Sequence, residues 1–433
     1  MASSGLSRRR VGGGGGGSSM LSDSTPDSHN GDESSRTPTS NGTHAGSAFS
    51  SIFPSSKIAY DPRDLPQSSQ AGGALPQLTL MEEVLLLGLK DKAGYLSFWN
   101  DNISYALRGC ILIELALRRR IAVVKDPSRR RVQLAERLVE VIDDKMTGET
   151  ILDETLRMMK AQQDPPPMTP GASASNSSSA STFTSGGGEK LSINTWIDLL
   201  SGETWNVLKI GFQLKQVRER LAKGLVDKGV LRTEKRNFLL FDMATHPVAD
   251  GKVKAALVNR LISLLTATTS STPPSALLPE GTQCRVLRSV SLVCAAYTAS
   301  VLDGAFSGSA GTGSYASPAL GYEEREAAFA RADEILAEFS CWPWGSASDS
   351  GSTPASRKRS SAPRIATGST SDPGRESVLG LVMEAKKEMA TLHGSSSGGA
   401  SSPSNGVSDD GEDLGFELIA GALEVLSKLD SLL

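Results

Sequence analysis

The chain has 433 residues, a formal net charge of −3, 43 Gly, 21 Pro and only 5% aromatic residues. That length allows two or three ordinary domains, yet long Ser-, Gly- and Pro-rich stretches carry too little apolar surface to offset the entropy of ordering. No apolar run approaches the roughly 18–20 residues of a membrane-spanning helix, and no apolar stretch follows the basic N-terminus to make it a secretory signal.

Residues 1–74 read as a disordered leader, interrupted by the basic triplet Arg8-Arg9-Arg10. Order is expected from 75 to the end at 433. Thr79-Leu80-Met81-Glu82 has the spacing of a capping box and predicts a helix start. A second helix is expected from about 101 to 120, with a core of CILIELAL that contains Glu114 and ends at Arg118–Arg120. IAVVKD and RLVEVIDD alternate like two short strands around a turn at Asp126-Pro127. A helix follows over about 149–160.

INTWIDLLSGETW resumes the helical pattern, and a long basic helix is expected to run on to Lys228, with Gly229 as its stop. Within it Lys215 and Arg218 lie three residues apart, hence on one face. From Trp205 to Asn237 nine Lys or Arg stand against three acids, so the chain's positive charge is concentrated here. VLRT and NFLLFD flank TEKR as a hairpin that ends in the apolar quartet Phe238-Leu239-Leu240-Phe241. Basic charge beside apolar residues is what an anionic membrane surface attracts. Further helices are expected at about 251–267, 284–302, 322–339 and 376–392, and over the amphipathic C-terminus, 417–433. Flexible insertions fall at about 164–188, 303–318, 345–372 and 394–412. The apolar pattern returns after each one, so they interrupt one helical domain spanning 75–433.

The chemistry of an active site is missing. The four His are 29, 44, 246 and 393, and only His246 falls inside the expected core. That supports neither a metal cluster nor a Ser/His/Asp arrangement. The Gly308–Gly313 stretch, GSAGTG, lacks the Gly-Lys-Ser/Thr of a phosphate-binding loop. The four Cys (110, 284, 294, 341) show no paired spacing and are expected as reduced core thiols of a cytosolic protein. No enzyme activity, cofactor or metal is expected.

Several strings carry a resemblance: LTLMEEVLLLGLKD (78–91), SFWND (97–101), LRGCILIELALRRR (107–120), INTWIDLLSGETWN (193–206), VRERLAKGLVDKGVLRTEKRNFLLFDMATHP (217–247) and ELIAGALEVLSKLDSLL (417–433). Together they resemble the Golgi phosphoprotein 3 family, in a form like its fungal members. The resemblance implies a mainly α fold: a single helical domain around a central helix bundle with a protruding β-hairpin. It also implies a peripheral protein of the Golgi membrane and cytosol that binds phosphatidylinositol 4-phosphate. Such a protein links the cytosolic tails of glycosyltransferases to coatomer for retention and retrograde vesicle transport.

By the same resemblance the lipid headgroup site consists of Trp99, Arg108, Lys215 and Arg218. Lys215 stands where animal members carry Arg, which keeps the charge and loses a fork of donors. Arg8, Arg9 and Arg10 match a motif implicated in coatomer binding, and the hairpin, with Phe238, Leu239, Leu240 and Phe241, implies self-association. Each assignment has a plainer alternative. Trp99 fits a buried core aromatic, Lys215 and Arg218 a solvated helix face, the quartet an ordinary packed strand, and the Arg triplet non-specific charge. Arg357-Lys358-Arg359 reads as solvated linker charge. Arg118–Arg120 and Arg129–Arg131 read as a helix cap and turn decoration. A competing class, nucleic-acid binding by a basic helix and hairpin, fits poorly with a pI near 6.0.

Overall fold

A computed structural model describes residues 73–96, 102–164, 188–204, 206–238, 241–267, 269, 271–308, 319–345, 373–394 and 413–429. Trp99, the Arg8–Arg10 triplet, Leu239 and Leu240 lie outside these residues, as do most of the four expected insertions. The described chain is mainly helical, with two small antiparallel sheets.

In chain order the helices are α1 (Leu80–Gly88), α2 (Asn102–Leu117), α3 (Thr150–Gln163), α4 (Ile193–Ser201), α5 (Val217–Asp227) and α6 (Gly251–Leu265). They continue with α7 (Arg285–Thr298), α8 (Leu302–Phe306), α9 (Tyr322–Phe339), α10 (Pro373–Gly394) and α11 (Leu414–Ser427). Strands β1 (Ile121–Val123) and β2 (Val139–Val141) pair antiparallel, as do β3 (Glu234–Phe238) and β4 (Phe241–Thr245).

Local chemistry starts α1, α4 and α6 where the sequence predicts, whereas α11 begins at Leu414, three residues before the expected 417. The Thr79 side chain accepts the Glu82 N–H, and the Glu82 carboxylate accepts the Thr79 N–H at 2.8 Å, completing the capping box of α1. The side chains of Ser192, Asp250 and Asp413 accept first-turn N–H groups of α4, α6 and α11.

The centre of the bundle is α2, which packs against α1, α4, α7 and α11. Thirteen of its sixteen residues are buried, so it is a core helix rather than an amphipathic one. Each fully buried aliphatic side chain contributes about 1.5–3 kcal/mol. Helix α11 approaches α2 closely at Gly109, where a Cβ would come within 2.8 Å of Leu426.

Buried charge ties the helices together. Glu114 of α2 is 0% exposed and meets Arg118 at 2.8 Å and Arg288 of α7 at 2.9 Å. It also accepts the N–H of Leu80 at the start of α1. Glu417 of α11 meets Arg129 at 3.1 Å and Arg137 at 2.5 Å, which fastens the C-terminal helix to the turns between β1 and β2. Arg118 and Arg129 are therefore buried structural residues, and Arg120 pairs with Asp143.

Four expectations need correction. The basic stretch is not one long helix. Instead α4 stops at Gly202 in the left-handed region (φ 89°), a 3-10 turn covers Val207–Phe212, and Gln216 (φ 53°) resets the chain before α5. Lys215 thus precedes the helix that carries Arg218, and shared helical spacing does not place the pair. The hairpin is shifted as well. Glu234, Lys235 and Arg236 of TEKR are strand rather than turn, because Phe238 pairs with Phe241 and only residues 239 and 240 connect the strands. The helix expected over 284–302 ends at Thr298, and Ser300 (φ 54°) turns the chain into α8. Finally, Cys110, Cys284 and Cys294 are buried as expected, but Cys341 is exposed.

Candidate functional site

Arg108 sits on α2 with only 7% of its surface exposed. Its guanidinium reaches out of the core to three backbone carbonyls. Nη1 donates to Ser104 at 2.8 Å, Nη2 to Leu214 at 3.0 Å and Nε to Leu200 at 3.3 Å. Leu200 lies in the last turn of α4, where carbonyls lose their helical partners. Its oxygen also accepts the N–H of Leu214 at 3.1 Å. One arginine thus joins the central helix, the end of α4 and the segment that leads into α5.

No carboxylate lies among these partners. An arginine offers five N–H donors. Three of them are used here, and two are left over among the described residues. Burial pushes the Arg108 pKa down to about 10, and the nearby positive charge of Arg218 pushes the same way. Two guanidinium groups close enough to repel make a spot where an anion would be stabilised.

Arg218 is half-buried in the first turn of α5, and Lys215 is exposed just before it. Gln216, the N-cap, contributes no side-chain acceptor to the helix. The positive end of the α5 dipole therefore adds to the charge of Arg108, Lys215 and Arg218. Of the site residues that the resemblance implies, Arg108 and Arg218 lie close enough to repel, and Lys215 follows Leu214, whose carbonyl Arg108 holds. Trp99 falls in the segment between Leu96 and Asn102, which leads into α2.

Two neighbours escaped the sequence reading. The Ser201 hydroxyl, next to Leu200, is buried and has no hydrogen-bond partner among the described residues. The Tyr105 hydroxyl donates to Asp198 at 2.6 Å, and Asn194 donates to the other oxygen of that carboxylate at 3.2 Å. Burial raises the Asp198 pKa, and the Tyr105 hydrogen bond lowers it in part. The Asp198 carboxylate is thereby engaged by Tyr105 and Asn194. Nothing in the spacing of single residues announces these partners, since they meet across 93 positions of sequence.

The base of the β3–β4 hairpin docks on the loop after α1. His246 donates its N–H to Gly94 at 2.8 Å, Val248 donates to Asp91 at 3.0 Å, and Arg236 donates to the Lys92 carbonyl. Among the described residues no helix is long and apolar enough to cross a membrane, and no group of three or more His, Cys, Asp or Glu could hold a metal.

The family model described as Golgi phosphoprotein 3 matches residues 80–358. The chain belongs to the Golgi phosphoprotein 3 family. Over 288 residues it is 50% identical to "Vacuolar protein sorting-associated protein 74" of Schizosaccharomyces pombe, covering 66% of this chain and 74% of that relative. The protein of the same name from Eremothecium gossypii is also 50% identical over 288 residues, covering 66% and 75%. All residues of the Arg108 clamp fall inside the stretch that the Golgi phosphoprotein 3 model matches.

Proposed function

We propose that this chain is a peripheral adaptor on the cytosolic face of the Golgi membrane, and that it reads phosphatidylinositol 4-phosphate with Trp99, Arg108, Lys215 and Arg218. The observation that carries the headgroup reading is Arg108, buried beside Arg218 with carbonyl partners and no carboxylate. A phosphomonoester carries between −1 and −2 charge and three acceptor oxygens. It relieves the repulsion between the arginines and takes the spare Arg108 donors. Each charge-assisted hydrogen bond contributes about 1.5–3 kcal/mol. The buried Ser201 hydroxyl, one residue beyond Leu200, is a further candidate donor.

A single headgroup site gives modest attachment, and stable anchoring takes a second signal. Self-association through the hairpin, Phe238 to Phe241, multiplies the headgroup contacts by effective concentration. Arg8, Arg9 and Arg10 capture coatomer, while the folded domain holds the cytosolic tails of glycosyltransferases. The Golgi name of the family and the protein-sorting names of the relatives support this transport role.

Calorimetric titration with a short-chain, water-soluble phosphatidylinositol 4-phosphate tests the site. Wild type should give one saturable site, weakened at least about tenfold in Lys215→Ala/Arg218→Ala, the loss of one charged hydrogen bond. Flat heat from wild type would rule the site out. For the coatomer arm, Arg8→Ala/Arg9→Ala/Arg10→Ala should abolish coatomer capture and leave headgroup affinity intact. Undiminished capture would remove the triplet from the account.

A further inference from the structure

The 3-10 turn Val207–Phe212 presents the most exposed aliphatic side chain among the described residues. Leu208 is 90% exposed, Val207 77% and Ile210 47%. A soluble surface tolerates single exposed aliphatics, but three on one six-residue turn call for an explanation. The turn is also firmly built. Asn206 accepts the Leu208 N–H at 3.0 Å with its side chain and the Lys209 N–H at 2.9 Å with its carbonyl. Gln213 donates to Ile210 at 3.2 Å, and Phe212 packs edge-on against Trp196 at 5.7 Å. Inward anchors thus hold the apolar tips outward.

We propose that Val207, Leu208 and Ile210 form a wedge that enters the acyl edge of an anionic lipid surface beside the headgroup site. This inference rests on the headgroup reading above and adds the surface that determines depth. Charge selects the occupant. From Asn206 to Arg220 the cations are Lys209, Lys215, Arg218 and Arg220, against the single acid Glu219. Lys209 lies 3.6 Å from Glu189, and Arg220 pairs with Glu154. Lys215 and Arg218 belong to the headgroup site itself. Aliphatic tips between basic residues match an interface with apolar chains below and anionic headgroups above.

Continuity with the site strengthens the argument. One residue, Gln213, separates the turn from Leu214, whose carbonyl is held by Arg108 at 3.0 Å. The residue that builds the headgroup corner therefore also sets the position of the wedge. A headgroup bound at Arg108 and Arg218 would bring Leu208 to the membrane at a fixed distance along the chain.

The test uses the full chain carrying Cys341→Ser, which removes the exposed thiol and keeps the three buried ones. Leu208→Cys is then labelled with a polarity-sensitive fluorophore, and Tyr322→Cys, at a residue 81% exposed on α9, serves as comparison. Vesicles contain phosphatidylcholine with phosphatidylinositol 4-phosphate, or with phosphatidylserine at equal charge, and carry acyl-chain quenchers. The 208 label should shift to the blue and be quenched on phosphatidylinositol 4-phosphate vesicles, while the 322 label stays in water. The unlabelled variant Val207→Ser/Leu208→Ser should keep its thermal midpoint and lose vesicle affinity roughly 10- to 100-fold, the equivalent of two partly buried aliphatic side chains.

Binding with the 208 label still in water would overturn the wedge and leave the headgroup reading standing. Insertion of the label into both vesicle types alike would support the wedge and count against the headgroup reading. No association with either vesicle would sink both. A concentration-dependent dimer abolished by Val207→Ser/Leu208→Ser, with the label in water on vesicles, would assign the patch to self-association and overturn the wedge.

Discussion

Glu114 shows how a single residue can be misjudged from sequence. It looks like an isolated acid in an apolar helix, a context in which burial alone would raise its pKa. In the fold, burial opposes its charge, but Arg288 and Arg118 overcome that penalty and hold its pKa at about 2, well below the usual carboxylate range. A depressed pKa means stability that is fully present above about pH 4.5 and lost as the pH falls toward 2. The shift corresponds to about 3 kcal/mol. An acid titration of unfolding free energy should show this limb, and Glu114→Gln should flatten it. That variant also leaves Arg118 and Arg288 uncompensated in the core, so it should cost about 3–5 kcal/mol at neutral pH. An unchanged acid limb in Glu114→Gln would assign the loss to other carboxylates.

Arg108 is the opposite case. The family resemblance selects it, but its role as a clamp is a tertiary fact, invisible until Leu200 and Leu214 fold onto it. Arg108→Lys keeps a charge and loses the fork, so both the melting temperature and headgroup affinity should fall. A variant that melts as wild type does would contradict the clamp.

At the scale of elements, legibility follows from where the decisive contacts lie. The starts of α1 and α4 are local, set by Thr79 with Glu82 and by Ser192, and both can be read directly. The ends of α9 follow its own apolar pattern and match the expectation residue for residue. The break between Lys215 and Arg218 could not be read this way. Gln216 adopts a left-handed conformation that its residue type does not favour, between Leu214, held from outside, and the start of α5.

Two element-scale outcomes follow. Glu417→Gln removes the counter-charge of Arg129 and Arg137, both 8% exposed, and should cost about 3–5 kcal/mol. Hydrogen exchange over 414–427 should then speed up ahead of the rest of the core. Uniform exchange would mean that apolar packing alone holds α11. Gly94 lies at φ 70°, and a Cβ there would stand 2.3 Å from the backbone nitrogen of Pro247. Gly94→Ala should destabilise the fold by more than about 1 kcal/mol and free the hairpin base. Limited proteolysis should then cut near 232–247, and resistance equal to wild type would refute the docking.

At the scale of the whole molecule, the sequence makes the helical class legible, because apolar periodicity survives each low-complexity stretch. It also makes the basic concentration at 205–237 legible. What it hides is how that charge is used. Several of the nine cations are committed to structure: Lys228 meets Glu82 at 2.7 Å and Glu149 at 3.0 Å, Arg232 meets Glu234 at 2.8 Å, and Arg220 meets Glu154. Charge counting therefore overstates the membrane-facing field and understates how local the candidate site is. The exposed turn at 207–210 was hidden for a related reason. Inside an expected helix its aliphatics look like core positions, and only the breaks at Gly202 and Gln216 turn them outward.

Headgroup selectivity at the membrane decides the account. Co-sedimentation should be measured with vesicles carrying phosphatidylinositol 4-phosphate, and with vesicles carrying an equal charge of phosphatidylserine, for wild type and Lys215→Ala/Arg218→Ala. The account predicts preferential binding to phosphatidylinositol 4-phosphate that disappears in the variant. Equal binding to both vesicles, untouched by the substitutions, would leave a generic basic surface and contradict it.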